Sequence, residues 1–260
     1  MKPPEMETLT VEVDEGIATL YLDRPEKLNA MNDTMFNELG VAADYIRDDP
    51  ETRVAIMTGR GRAFSAGIDL SSAEMLASAD PTAFRVIVRN IQRNFRAFEL
   101  IEKPVIAMVN GHALGAGTEI ALACDMILAS TEATFGLLEV NIGLVTDLGA
   151  SQRLPRFVGI HRAKELILTG KRISAAEADR IGLVNAVYPP EQLVAETLAL
   201  ANHLKGLPAL PVGLCKIAID RSRGSSIEAG LEYEAQSQSI CVSHLQELAG
   251  KAKEKESKGT

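Results

Sequence analysis

Apolar and polar residues alternate along TLTVEVDEGIATLYLD, broken at Asp14-Glu15-Gly16, and this period of two predicts a β-hairpin. A helix is expected from Asp33 to Arg47, with Asn32 as its N-cap and Asp49-Pro50 closing it. The apolar run at 53–58, ending at Gly59, reads as a buried strand, and GRGRAFSAGIDL as a loop of small residues. Phe84, Val88, Ile91, Phe95, Phe98 and Ile101 recur every three or four residues, which makes 81–102 an amphipathic helix. SSAEMLASAD, just before it, lacks any period and is expected to be a mobile loop.

Further along, PVIAMVNG, MILAS and LVNAVY read as strands, with a short apolar helix in AGTEIALACD. Residues 149–182 show helical patterning with breaks expected at Pro155 and Gly170. Beyond Pro189-Pro190 only helical patterns remain, interrupted at Gly206-Leu207-Pro208 and Arg223-Gly224-Ser225, and KAKEKESKGT is a charged tail. Strands alternating with helices imply an α/β core over 1–190, followed by a helical region over 191–260.

With 46% hydrophobic and 24% charged residues, the chain is neither collagen-like, disordered nor a disulfide framework. Aromatics are only 4% and Trp is absent, so aliphatic residues and Ala must fill the core. A net charge of −8 argues against a nucleic-acid partner. Cys124, Cys215 and Cys241 show no paired or zinc spacing and are expected to be small buried side chains in a reducing compartment. MKPPEMETLT has no signal-peptide pattern, and the apolar stretch from Pro104 to Ser130 carries too many polar residues to span a membrane. A cytoplasmic protein with no membrane partner is the expectation.

Several chemistries can be set aside. His112, His161, His203 and His244 form no metal-ligand spacing, and Ser65 lies outside any GxSxG elbow. No P-loop occurs, and NGHALGAGTEI has Ile120 where a dinucleotide fingerprint needs its third glycine. Two loops of small residues, Ser65-Ala66-Gly67 and Gly115-Ala116-Gly117, each follow a buried strand. Either they are tight turns in a crowded core, or their backbone N–H groups converge as an oxyanion hole. Two carboxylates favour the second reading. Glu119 falls within the apolar helix and Glu139 within FGLLEVNIGLV, and buried acids without a partner are costly. Beside an oxyanion hole they are suited to proton transfer next to a carbonyl, burial having raised their pKa values.

The segments RPEKLNAMN, GRAFSAGIDL, KPVIAMVNGHALGAGTEIALACD, FGLLEVNIGL, GASQRLPRFVG and LTGKRISAAEADRIGLVNAVYP together resemble the enoyl-CoA hydratase/isomerase (crotonase) family over nearly the whole chain. The resemblance implies a spiral of ββα units and a C-terminal helical trimerisation region, giving homotrimers that pair as hexamers. It implies an acyl-CoA thioester as substrate, with coenzyme A part of that substrate and no separate cofactor. The backbone donors map onto Ala66 and Ala116, and the hydratase glutamates onto Glu119 and Glu139. CoA is expected along RPEKLNA and FSAGID, so that Lys27, Ala30, Gly67, Ile68, Asp69 and Gly115 join the substrate-binding set. Arg24, Arg60 and Arg62 are candidates for a local positive field, or are solvated surface charges. Residues 71–80 are expected to shape the acyl tunnel.

One departure keeps the reaction open. Hydratases usually carry Pro-Gly where this chain has Thr146-Asp147, an aspartate position that resembles the dienoyl-CoA isomerases. Those isomerases, however, have Asp in place of Glu119. Hydration of a 2-enoyl-CoA by Glu119 and Glu139 is the first expectation. A 3,5- to 2,4-dienoyl-CoA isomerase using Glu119, Glu139 and Asp147 is the second. Another crotonase reaction, or a non-catalytic acyl-CoA binding protein, follows. Alternatively Asp147 points away, as an N-cap before Gly149-Ala150-Ser151.

Overall fold

The computed structural model describes residues 1–69, 72 and 80–258; apart from Ser72 and Asp80, the expected mobile loop and tunnel segment lies outside these. The hairpin forms as predicted, from β1 (Leu9–Asp14) and β2 (Ile17–Leu22) with Asp14 opposite Ile17. Its two-residue loop has positive φ at both Glu15 and Gly16, the turn whose twist matches that of paired strands. Helix α1 (Asp33–Asp48) starts at Asn32, whose side chain accepts from Met35 N–H. Strands β3 (Val54–Gly59) and β5 (Val105–Val109) are buried at every position, as strands covered on both faces should be.

A second sheet is the main addition to the sequence reading. Strands β4 (Ala63–Ser65), β6 (His112–Leu114), β8 (Thr134–Gly136) and β9 (Arg172–Ser174) are three residues each, too short to display a period. They form one sheet in that order, while β1, β2, β3, β5, β7 (Met126–Ser130) and β10 (Ala186–Tyr188) form the other. Both sheets are mixed: β1–β2 and β8–β9 are antiparallel and the other pairs parallel. Each of the pairs β3–β4, β5–β6 and β7–β8 places one strand in each sheet and advances one position, so the chain spirals.

Helices fill the returns of the spiral. They are α2 (Pro81–Leu100), α3 (Ala116–Ala121), α4 (Ala150–Val158), α5 (Ile160–Thr169), α6 (Ala175–Arg180) and α7 (Pro190–Gly206). On β3 the alternate residues Ala55 and Met57 enter the main core, while Val54 and Ile56 face a second cluster with Leu193 and Ala201 of α7. Helix α4 runs through Pro155 and ends at Gly159, contrary to the expected break. Pro155 forfeits one N–H bond, but buried Ala150, Arg153 and Leu154 keep the helix packed around it.

The chain divides into two units, Met1–Gly206 and Leu207–Thr260. The second contains α8 (Ala209–Arg221) and α9 (Ile227–Lys258), with Arg221 stacked on the Tyr233 ring. The expectation of three buried cysteines is corrected: Cys124 is buried, Cys215 exposed and Cys241 half-buried. No helix among the described residues is long and apolar enough to cross a membrane.

Candidate active site

The two small-residue loops leave adjacent strands of the short sheet, β4 and β6, which brings them side by side. Gly67 has φ +98°, and a Cβ there would lie 2.8 Å from Leu114 O and 3.7 Å from Ala116 N. Only glycine lets the backbones approach this closely.

The loop that contains Gly67 does not present the expected donor. Ala66 N–H donates to Leu28 O at 2.9 Å, so it is committed within the fold. Ser65 Oγ is likewise occupied, donating to Asn29 O at 2.8 Å. Met31 N–H donates to Gly67 O and Asp69 N–H to Met31 O, a parallel bridge centred on Ile68. In such a bridge the central residue's own N–H points to the other side. Ile68 lines a cavity together with Ala116, and neither N–H has a protein acceptor among the described residues. Ile68 and Ala116 are therefore the residues whose N–H groups are uncommitted at the cavity, whereas the N–H of Ala66, two residues before Ile68, is taken up by Leu28 O. The alternation of bonds along an extended segment was the signal that could have found this.

The carboxyls enter the same cavity, whose volume is about 420 Å³. Glu119 lies one turn into α3 and is only 1% exposed. Its Oε1 accepts from Leu148 N–H at 3.1 Å and Ala150 N–H at 2.8 Å. Burial pushes its pKa up to about 8 against the pull of the Ala150 N–H, with Glu139 and Asp147 adding repulsion. Glu139 opens a single 3₁₀ turn, Glu139–Ile142. A Cβ on Gly115 would come within 2.9 Å of Glu139 Oε1, which places this carboxyl beside the Ala116 donor. Glu139 Oε2 is buried without a hydrogen-bond partner among the described residues, and burial, then the charge of Asp147, raises its pKa.

Asp147 lines the cavity as well, and burial raises its pKa. It is not the N-cap of α4. Gly149 occupies that position with φ +115° and no side-chain cap. The segment Asp147–Ala150 is held from behind. Arg153 donates through one terminal nitrogen to Leu148 O at 2.7 Å, and through Nε and the other to the Glu99 carboxylate at 2.7 and 3.1 Å. Gln92 Nε2 donates to Asp147 O at 2.6 Å.

Lys27, Ala30, Ala66, Gly67, Asp69 and Gly115 do not line this cavity. Arg24 bonds Ala30 O and pairs with Asp69, and Arg60 pairs with Glu12 and Asp23 over the Tyr21 ring, so both charges are locally neutralised. Lys27 and Arg62 remain exposed. Among the described residues no group of three or more His, Cys, Asp and Glu could hold a metal ion. The lining also includes Arg85 and Arg89 of α2, which the apolar stripe of that helix did not bring to notice.

The family pattern described as Enoyl-CoA hydratase/isomerase matches residues 12–257. The crotonyl-CoA hydratase of Syntrophomonas wolfei is 37% identical over 245 residues, covering 94% of this chain and 93% of that protein. The enoyl-CoA hydratase of Bacillus anthracis superposes with a TM-score of 0.86 at 34% identity, over 94% of this chain and 97% of that one. A putative enoyl-CoA hydratase of Thermobifida fusca, solved in complex with CoA, gives 0.85 at 31% identity, over 95% and 99%. This chain belongs to the enoyl-CoA hydratase/isomerase family.

Proposed function

We propose that the protein is an enoyl-CoA hydratase that adds water across the 2,3-double bond of an acyl-CoA thioester. The observation that carries this reading is the meeting of two free N–H groups and two acids of raised proton affinity in one cavity. The thioester oxygen accepts from Ile68 and Ala116 N–H, which stabilise the negative charge that develops as the enolate forms. Glu139, next to Ala116, stands where the α-carbon adjoins the carbonyl and delivers its proton there. Glu119, oriented by Leu148 and Ala150 N–H, takes a proton from the water that attacks the β-carbon. One proton shared between the two carboxyls is enough, because addition removes it from one and returns it to the other.

A second reading has its own observation. Asp147 lines the cavity in place of a residue without charge, and a third carboxyl suits moving a proton between two carbons of a dienoyl thioester. Crotonyl-CoA and a 3,5-dienoyl-CoA, each given to wild type and to Asp147→Asn, separate the two. Hydration of crotonyl-CoA that survives Asp147→Asn is expected. Rapid formation of the 2,4-dienoyl chromophore, abolished by Asp147→Asn and without crotonyl-CoA hydration, would establish the isomerase instead. Binding without turnover of either substrate would make it an acyl-CoA binding protein.

The assembly belongs to the same proposal. Ile227, Leu231, Ile240, Leu245 and Leu248 of α9 are exposed apolar residues, more than a free helix normally leaves in water. A homotrimer, or a hexamer made of two, covers them. Light scattering is expected to give three or six times the chain mass of 27.9 kDa, and a monomer would overturn the assembly.

A further inference from the structure

Helix α2 contributes two guanidinium side chains, Arg85 and Arg89, to the wall of the cavity that holds Glu119, Glu139 and Asp147. Four residues apart, they stand one turn from each other on the same helix face. Neither forms a salt bridge or hydrogen bond among the described residues, although the chain is acidic overall and offers 35 Asp and Glu. Nor are they counter-ions to the reacting acids. All three carboxyls are raised by burial, and no cation is among the groups that pull them down. The same cavity has an apolar stretch at Ile142, Leu144 and Val145, which are 66%, 49% and 74% exposed. An apolar wall combined with a pair of uncommitted cations fits an acyl group that ends in an anion.

Resting on the hydratase reading, we propose that Arg85 and Arg89 bind a carboxylate at the far end of the acyl chain, so that the preferred substrates are ω-carboxy-2-enoyl-CoA thioesters. An anion at this pair has two possible sources, the acyl carboxylate or the phosphates of CoA, and the acyl source is favoured because the arginines share the cavity of the reacting carboxyls. Guanidinium groups donate two parallel hydrogen bonds to a carboxylate, a contact that a methyl ester cannot reproduce.

The test compares ω-carboxy-2-enoyl-CoA thioesters of stepped chain length with their methyl esters, on wild type, Arg85→Gln, Arg89→Gln and the double variant. Wild type is expected to favour the acid over its ester by about 10- to 100-fold in kcat/KM at the matching length, mainly through KM. The double variant is expected to bring that ratio close to one, and high salt to shrink it in wild type. A wild-type ratio near one at every length overturns the proposal. So does an equal fall for acid and ester in the variants, absent with pantetheine thioesters, which would assign the arginines to the CoA phosphates. Calorimetry with the saturated ω-carboxyacyl-CoA and its methyl ester reads the same preference without chemistry. If wild type hydrates no enoyl thioester, the hydratase reading fails alone, and the binding ratio still decides for or against the arginines.

Discussion

Glu139→Gln is expected to lower kcat for 2-enoyl-CoA hydration by about 10²- to 10⁴-fold, the usual contribution of a positioned acid or base. Glu119→Gln is expected to do the same, while saturated thioesters bind both variants as well as wild type, because the Ile68 and Ala116 donors belong to the backbone. Near-wild-type turnover in both variants would sink the mechanism. The pH profile carries further information. Hydration needs one proton on the pair, and Glu119, the more deeply buried of the two, holds that proton until pH rises through about 8. A fall of kcat/KM above about pH 8 is therefore expected.

Stability responds to the same proton. Glu119 titrates near 4.5 when unfolded and about 8 when folded, so between those values the folded state holds a proton that the unfolded state releases. Stability then declines as pH rises from about 4.5 to about 8 and levels off beyond. In Glu119→Gln the amide oxygen still accepts from Leu148 and Ala150 N–H, and there is no charge to desolvate. Its Tm is expected to match wild type near pH 4.5 and to exceed it at pH 8.5 by on the order of 10 °C. A Tm difference that does not change with pH would refute the buried, proton-holding state of Glu119.

What was legible in the sequence depended on how local the determining interaction was. The hairpin, α1 and β3 follow from periods and caps within a dozen residues. The three-residue strands β4, β6, β8 and β9 have no period of their own and exist because the longer strands align them. Glu119 and Glu139 stood out because an acid in an apolar stretch needs a reason. That the Ala66 N–H is occupied is not legible locally, because its partner, Leu28, lies far back along the chain. Arg85 and Arg89 lay on the polar face of a helix, where charge is the default, and only the cavity gives them meaning.

The same reasoning explains why Arg153 escaped notice, although its replacement is expected to have the other large effect. Its side chain is 10% exposed and that of Glu99 17%, so the pair is largely removed from water. The guanidinium grips two partners at once, the Glu99 carboxylate in α2 and Leu148 O, next to the N–H groups that hold Glu119. Arg153→Met takes one charge out of a buried pair, a change that typically destabilises by about 3–5 kcal/mol. Arg153→Lys restores the charge but not the fork, so it should recover much of the stability and little of the positioning. With Leu148–Ala150 released, the Glu119 carboxylate loses its two N–H donors and its pKa moves higher still. In Arg153→Lys the fall of kcat/KM at high pH should therefore shift from about 8 to higher pH, with kcat reduced about tenfold. A purely structural Arg153 would lower Tm and leave that pH dependence unmoved, and that result would show that the segment holds Glu119 without help from the arginine.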